Sequence, residues 1–273
     1  RRELIVQGHT KILGVTLPEL RHLAPILVAW AVSVVVMVGE KDLGSSLMFF
    51  TLFVVMLWVA TERTSFLVMG IGLFVGGAVI AYNLFDHVQT RVEIWLNPWD
   101  QYTERGYQPI QALFALANGG MTGTGLGIGD PGAIPAAHND FIFAALGEEL
   151  GLLGGVAILS AFVLLVGAGM RTALRAQRDF EKLLATGLTT IVAIQTFIII
   201  GGVLRVVPLT GVTLPFMSYG GSSLVSNYVL LAILVRISDT TARGLHEVPD
   251  EASPSERFAA WRTRKTEVKA DAS

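Results

Sequence analysis

The chain has 273 residues, of which 52% are hydrophobic and 15% are charged, and its mean hydropathy is +0.58. These values exclude an ordinary soluble domain and indicate a protein that crosses a membrane several times. The formal net charge is −2, and no nucleic-acid partner is predicted. The chain contains no cysteine, which excludes a disulfide framework and thiolate chemistry.

Six stretches are long and apolar enough to cross a bilayer, which takes about 20 residues. Because lipid offers the backbone no hydrogen bonds, each stretch must be helical. The sequence therefore predicts an all-α polytopic membrane protein with a membrane domain over 23–237. A cytoplasmic lead-in, 1–22, precedes this domain, and a charged cytoplasmic tail, 238–273, is predicted to be disordered. The predicted spans are 23–39, 43–61, 64–85, 147–170, 183–204 and 219–236.

Lysine and arginine are unevenly divided between the two sides that six alternating spans create. The side that holds both termini carries 16 of them, and the side that holds the loop 86–146 carries 4. Because basic residues concentrate in the cytoplasmic loops of membrane proteins, we predict cytoplasmic termini and an extracellular loop 86–146.

The loop 86–146 is too long to be structureless in a compact protein. Its tryptophans, Trp95 and Trp99, suit a membrane interface, and the apolar stretch 110–117 predicts a short helix on or in the bilayer. The glycine run 119–129 lacks the lysine and the preceding strand of a phosphate-binding loop. Its composition favours tight turns and close helix packing.

Asp140 lies where this loop re-enters the membrane, in the run His138-Asn139-Asp140. Its carboxylate is predicted either to cap the next helix or to act as a general base or a ligand of a divalent cation. Partial loss of water at the interface raises the pKa of a carboxyl above its reference of about 3.9 and makes it a better base. His138 is either a proton partner or an ordinary loop histidine.

Glu148 and Glu149 follow at the start of the next span. Paired carboxylates suggest acid–base chemistry on a glycoside, and a solvated helix end explains them equally well. Acidic residues on this face could also hold Mg²⁺ or Mn²⁺ against a pyrophosphate.

The loop 205–222 holds two prolines and three glycines and has no charge after Arg205. This composition predicts a re-entrant segment that lines a cavity, because irregular backbone at membrane depth must be buried in protein. Arg205 is either an interfacial anchor or a clamp for a phosphate. Ser222 and Ser223, at the end of the loop, are candidate substrate-binding residues.

Four stretches together resemble the SEDS family (shape, elongation, division and sporulation), which includes the RodA, FtsW and SpoVE proteins. They keep the family order between about residues 40 and 237, and the last of them is more like the RodA branch. The stretches are Lys41-Asp42-Leu43-Gly44-Ser45-Ser46; Gly106-Tyr107-Gln108 with the glycine run; His138-Asn139-Asp140-Phe141-Ile142-Phe143 with Gly147-Glu148-Glu149-Leu150-Gly151; and the loop from Pro208 to Ser223.

The resemblance implies a peptidoglycan glycosyltransferase that polymerises lipid II at the outer face of the bacterial cytoplasmic membrane, for cell elongation and shape or for division. Asp140 falls on the family's essential aspartate, which implies that it deprotonates the attacking sugar hydroxyl. Arg91, Arg205 and a divalent cation, Mg²⁺ or Mn²⁺, are the candidates for stabilising the departing pyrophosphate. The implied protein partner is a class B penicillin-binding protein, a transpeptidase that crosslinks the glycan.

The chain departs from the family pattern in three ways. The family has about ten spans, and the six predicted here match the last six. Lys41 stands where the family usually has proline, and Asn139 stands where it usually has threonine. Part of the site is therefore expected to come from spans that precede this chain.

Two other functions compete with polymerisation. A lipid flippase or transporter keeps ionisable groups near the bilayer midplane and often shows inverted repeats, and the five clearest predicted spans have neither feature. A non-catalytic scaffold for the penicillin-binding protein is the third alternative, and it would not need Asp140.

Overall fold

A computed structural model describes residues 10–12, 15–17, 31, 35 and 43–246 of the chain. Most of the predicted lead-in 1–22, nearly all of the predicted span 23–39 and residues 247–273 lie outside the described residues. Strands β1 (Thr10–Ile12) and β2 (Val15–Leu17) form a short antiparallel pair. This hairpin is the one departure from the all-α prediction in the part of the chain that the structure describes.

Seven α-helices are described between residues 43 and 246. Five of them, α1, α2, α5, α6 and α7, are long and apolar enough to cross a membrane, which confirms a polytopic helical membrane protein. The remaining predicted span, 23–39, falls almost entirely outside the described residues. The helices are α1 (Leu43–Thr61), α2 (Thr64–Leu84), α3 (Asp86–Leu96), α4 (Tyr107–Gly119), α5 (Ile142–Arg175), α6 (Asp179–Val203) and α7 (Gly221–His246).

Helix α6 is the most buried span, with contacts to α1, α5 and α7. Its inward side chains, among them Val192 and Ile199, join one apolar core with residues of α4, α5 and the loop after α6. Helix α2 is its opposite: it packs on α1 and α3 and exposes most of its apolar side chains. Exposed apolar side chains of this kind suit contact with lipid.

The loop 86–146 is structured, as its length predicted. It contains α3, two 3₁₀ turns (Pro98–Gln101 and Pro131–Ala133) and α4, which packs against α5. The short helix expected at 110–117 is the central part of α4.

Helix α5 is interrupted at Gly151, whose φ of 66° and ψ of −169° are accessible to glycine and strained for other residues. The interruption leaves the carbonyls of Glu148 and Glu149 without partners inside the helix. They accept hydrogen bonds from the amides of Thr124 and Gly125, at 3.0 Å each. The glycine run thus supplies the donors that the broken helix lacks.

The amides that follow the interruption also pair with the glycine run. The amide of Leu152 donates to the carbonyl of Gly120 at 2.9 Å. This pairing brings the backbones so close that a Cβ on Gly151 would overlap the amide nitrogen of Gly123, and a Cβ on Gly123 would overlap the carbonyl of Glu149. Close packing therefore explains the glycine run, and a phosphate cradle does not.

The ends of three helices differ from the predicted spans, and one of them, α6, begins at Asp179 and not at 183. Helix α5 begins at Ile142 and not at 147, and α7 continues to His246, so the tail predicted to be disordered from 238 begins with a helix. The predicted spans end where charged residues begin. Helix α7 continues through such residues, because ion pairs of Asp239 with Arg236 and Arg243 support it.

Candidate functional site

Asp140 lies two residues before α5 and lines a cavity of about 210 Å³. The N-cap position of α5 is Phe141, and no side chain caps the helix. The capping role weighed for Asp140 is therefore not observed. The walls of the cavity come from α3, the beginning of α4 and the loop after α6.

Three guanidinium groups line this cavity together with the carboxylate, those of Arg91, Arg105 and Arg205. They are three of the four basic residues that the sequence predicts on the side of the membrane that carries the loop 86–146, the fourth being Lys41. A side that is poor in basic residues thus concentrates them around Asp140. Such an arrangement attracts an anionic ligand.

Each of the first two arginines is held by a neighbour. Arg91 Nη1 donates to the carbonyl of Leu209 at 3.0 Å, and Arg105 Nη1 donates to Thr90 Oγ1 at 3.1 Å. A guanidinium has five N–H donors, so each keeps donors for a ligand.

Arg205 is tied to the end of α3 by both backbone and side chain. Its Nη2 donates to the carbonyls of Trp95 at 2.6 Å and Leu96 at 3.2 Å, and its own carbonyl accepts from Trp95 Nε1 at 2.9 Å. Its backbone φ is +58°, a conformation uncommon outside glycine. Arg205 therefore fixes the wall of the cavity and also lines it. Neither predicted role, an interfacial anchor or a phosphate clamp, included this contact with α3.

Burial raises the pKa of the Asp140 carboxyl above its usual value of 3.8, and the positive charge of Arg91 opposes this shift. Loss of water around the carboxylate is the larger of the two effects. A carboxylate with a raised pKa is a stronger base once it has lost its proton, which is the property predicted for a general base.

The loop after α6 is fastened to the segment that carries Asp140. Ser218 Oγ donates to the carbonyl of Asn139 at 2.7 Å and accepts from the amide of Leu214 at 2.8 Å. The amide of Tyr219 donates to the carbonyl of His138 at 2.8 Å. Because Ser218 is only 3% exposed, its two bonds are shielded from water. The three bonds together hold both segments in one arrangement.

Gly211 completes the wall beside the carboxylate. A Cβ at this position would lie 3.9 Å from Asp140 Oδ2, and the backbone φ is +80°. Glycine is required here by the backbone conformation more than by space.

The remaining predicted site residues do not line this cavity. The ring of His138 packs edge-on against Tyr219. Ser223 Oγ lies 2.7 Å from Thr213 Oγ1, so it fastens the loop to α7, and Ser222 is exposed at the start of α7.

Glu148 and Glu149 lie at the interruption of α5, where their carbonyls bind the glycine run. Glu148 is only 5% exposed, and its Oε2 has no hydrogen-bond partner among the described residues. Their backbone therefore has a structural role that the predicted acid–base or metal-binding roles did not include.

The side chains around Asp140 do not fit a divalent cation held by the protein. Such a cation prefers several oxygen ligands, and this cavity offers one carboxylate against three guanidinium groups. In the part of the chain that the structure describes, no cluster of three or more histidine, aspartate or glutamate side chains could hold a metal.

Sequence reasoning missed Arg105, Trp95 and Gln108 as residues that line the cavity. Gln108 belongs to the family-like stretch Gly106-Tyr107-Gln108 and Arg105 directly precedes it, so this position carried a signal. For Trp95 the sequence predicts only a position at a membrane interface.

The model of the FtsW, RodA and SpoVE cell cycle protein family matches residues 9–243. The chain is 52% identical over 254 residues to the peptidoglycan glycosyltransferase RodA of Mycobacterium tuberculosis, a match that covers 93% of this chain and 54% of that protein. It is 39% identical over 220 residues to an FtsW protein of Geobacter metallireducens, covering 79% of this chain and 58% of that protein. The chain spans about half the length of the curated relatives it matches.

Two solved structures share the fold. One is a chain from a peptidoglycan synthase complex that coordinates polymerization and crosslinking. It matches with a TM-score of 0.63 at 24% identity, over 87% of this chain and 77% of that chain. The other is a mutant of the rod shape determining protein RodA of Thermus thermophilus, with a TM-score of 0.51 at 21% identity, over 87% and 74%. At these identities the two matches establish the fold alone.

Proposed function

Because this chain belongs to the FtsW, RodA and SpoVE family, as its motifs predicted, we propose that it carries the catalytic centre of a peptidoglycan glycosyltransferase. The protein polymerises lipid II into glycan strands at the outer face of the bacterial cytoplasmic membrane. The greater identity to RodA than to FtsW favours a role in cell elongation and shape.

The composition of the Asp140 cavity carries this proposal. One partly buried carboxylate lies beside three guanidinium groups, those of Arg91, Arg105 and Arg205. Polymerisation of lipid II needs a base for a sugar hydroxyl and positive charge for a departing pyrophosphate, and this cavity brings both together.

In the proposed reaction, Asp140 accepts the proton of the 4-hydroxyl of N-acetylglucosamine on one lipid-linked sugar. That oxygen bonds to the anomeric carbon of the N-acetylmuramic acid that ends the growing strand. The bond from this carbon to undecaprenyl pyrophosphate breaks, and the electron pair leaves with the pyrophosphate. Attack opposite the leaving group inverts the anomeric carbon.

The arginines have two different roles in this proposal. Arg91 and Arg105 keep free donors for the pyrophosphate oxygens, and planar guanidinium groups match such oxygens in pairs. Arg205 fixes the wall between α3 and the loop after α6 and adds a third positive charge. Because they are held before substrate binds, these charges need little rearrangement as the leaving group departs.

A divalent cation, if the reaction uses Mg²⁺ or Mn²⁺, is proposed to enter with the pyrophosphate of the substrate. This follows from the donor set of the cavity, which does not fit a cation held by protein ligands alone. No step above depends on it.

The proposed protein partner is a class B penicillin-binding protein. The similarity to a fold found in a peptidoglycan synthase complex supports this pairing. We also propose that the loop 86–146 is extracellular and that Arg171, Arg175, Arg236 and Arg243 face the cytoplasm, because 16 of the 20 basic residues lie on that side.

One assay tests the proposed activity: the full-length protein that contains this chain is purified and incubated with lipid II and Mg²⁺, and glycan strands are separated on a gel. Asp140→Asn should abolish strand formation, and Asp130→Asn, which removes an exposed carboxylate of the same loop, should not. Strands made equally by Asp140→Asn would exclude Asp140 as the base, and a wild-type protein that makes no strands would leave a scaffold. Lipid II moved across vesicles without polymerisation would identify a flippase.

A further inference from the structure

A second cavity, of about 230 Å³, lies between the C-terminal ends of α5 and α7. It is lined by Arg171 and Arg175 of α5 and by Ser238 and Thr241 of α7. Helix α5 crosses the membrane between Asp140 and this cavity, so the two sites lie at opposite membrane surfaces. Nothing in the proposed polymerisation reaction uses it.

The two arginines of this cavity place two positive charges close together. They are four residues apart, so they lie on the same face of α5 and repel each other. Among the residues that the structure describes, neither guanidinium has an ion-pair or hydrogen-bond partner. Both are exposed at the mouth of the cavity, where an anion would relieve the repulsion.

The neighbouring arginines of α7 show the contrast. Arg236 and Arg243 both bind the carboxylate of Asp239, at 3.2 and 3.1 Å. They have the same charge and lie near the same membrane surface, but they are already neutralised in part. The charge of Arg171 and Arg175 is therefore a feature of this cavity and not of the whole surface.

A buried hydroxyl gives the cavity a second polar feature. Thr241 is 6% exposed, and its Oγ1 has no hydrogen-bond partner in the described part of the chain. Its neighbour in the wall, Thr172, already donates to the carbonyl of Ala168 at 3.0 Å. Buried hydroxyl groups are nearly always bonded, so an unpartnered one beside a cavity points to a ligand oxygen.

We propose that this cavity binds the phosphate of an anionic phospholipid headgroup. Arg171 and Arg175 supply the positive charge, and the hydroxyl groups of Thr241 and Ser238 are donors to the phosphate oxygens. The position at the end of two spans places the phosphate at headgroup depth, and basic pockets between spans on the cytoplasmic side are typical sites for such lipids. A free phosphate ion shares this chemistry.

Native mass spectrometry of the full-length protein in a neutral detergent tests the site, because such a micelle has no charged surface of its own. The probes are dioleoyl phosphatidylglycerol and, as the neutral comparison, dioleoyl phosphatidylcholine. The wild-type protein should retain phosphatidylglycerol preferentially. Arg171→Gln with Arg175→Gln should weaken this retention by about fivefold or more for each arginine removed.

Matched controls separate a built site from general charge. Arg236→Gln with Arg243→Gln removes the same charge near the same surface and should leave retention within about twofold of the wild type, since this pair lies outside the cavity. Thr241→Val should weaken retention, and Thr240→Val, whose hydroxyl already donates to the carbonyl of Arg236, should not. The proposal is overturned if the two double variants lose lipid equally, or if Thr241→Val retains it as well as Thr240→Val.

A competition arm distinguishes the two sources of phosphate. Inorganic phosphate at millimolar concentration is added to the complex with phosphatidylglycerol. Displacement of the lipid would identify the phosphate group alone as the ligand, and retention would show that the glycerol and acyl chains contribute. Either result supports a phosphate site, because the variants decide whether the site exists.

Discussion

Trp95 and Arg205 hold each other through reciprocal hydrogen bonds: the indole Nε1 of Trp95 donates to the carbonyl of Arg205 at 2.9 Å, and Arg205 Nη2 donates to the carbonyl of Trp95 at 2.6 Å. This pair joins the end of α3 to the start of the loop after α6, and both residues line the cavity of Asp140. The distance between two of its walls therefore depends on one tryptophan and one arginine.

Trp95→Phe should loosen this junction, because phenylalanine keeps an aromatic ring and removes the N–H donor. We expect a loss of about 1 kcal/mol in unfolding free energy and a fall in glycan synthesis on the order of tenfold, since a displaced wall misplaces the substrate. Thermal unfolding and the strand assay measure these changes. Trp99→Phe is the control, because Trp99 is exposed and its indole has no hydrogen bond in the described structure.

The pH dependence of the reaction should report the Asp140 carboxyl. Burial raises its pKa above 3.8 and Arg91 opposes the rise, so the acid limb of the pH–rate profile should lie above pH 3.8. Arg91→Gln removes the opposing charge and should move the acid limb to higher pH. Arg105→Gln removes the same charge from the same cavity, and it should move the limb less, because Arg91 is the charge that opposes the rise in pKa. An equal movement of the limb in both variants would contradict the assignment to Arg91.

Asp140→Asn should stabilise the protein at neutral pH while it removes activity. The pKa of the carboxyl is raised in the folded protein, so its ionised form is disfavoured there, and stability falls as the pH rises from the unfolded pKa through the folded one. The variant should therefore unfold at a higher temperature at pH 7, and the difference should disappear below about pH 3.8. A lower unfolding temperature at pH 7 would mean that the carboxylate stabilises the fold.

The sequence was sufficient for the described spanning helices and for the family, because apolar length and motif order depend on local residues. It also named Asp140, Arg91 and Arg205, which line one cavity. It did not reveal Arg105, since the position of that side chain depends on how the 3₁₀ turn Pro98–Gln101 directs the chain into α4. Nor did it reveal the backbone roles of Glu148 and Glu149. Those roles follow from pairing between segments about 25 residues apart, which residue types alone do not specify.

The divalent cation predicted from the sequence should bind with the substrate and not to the protein alone. Titration of the full-length protein with Mn²⁺, followed by electron paramagnetic resonance without lipid II, should show the same weak binding in the wild type and in Asp140→Asn, because Asp140 is the one carboxylate among the side chains that line the described cavity. Addition of lipid II should increase the bound Mn²⁺ in both. Tight binding that Asp140→Asn removes would instead make Asp140 a metal ligand.

Gly151→Ala should destabilise the protein by about 2–3 kcal/mol, because alanine is strained at a φ of +66° and its Cβ would overlap the amide of Gly123. The overlap would separate the glycine run from the interruption of α5 and leave the carbonyls of Glu148 and Glu149 without donors. Gly155→Ala, one turn further along α5, meets only the ring of Phe143 at 3.6 Å, so it should stabilise the helix by about 0.5–1 kcal/mol. Thermal unfolding of both variants measures the difference, and equal stability would show that the backbone pairing contributes little.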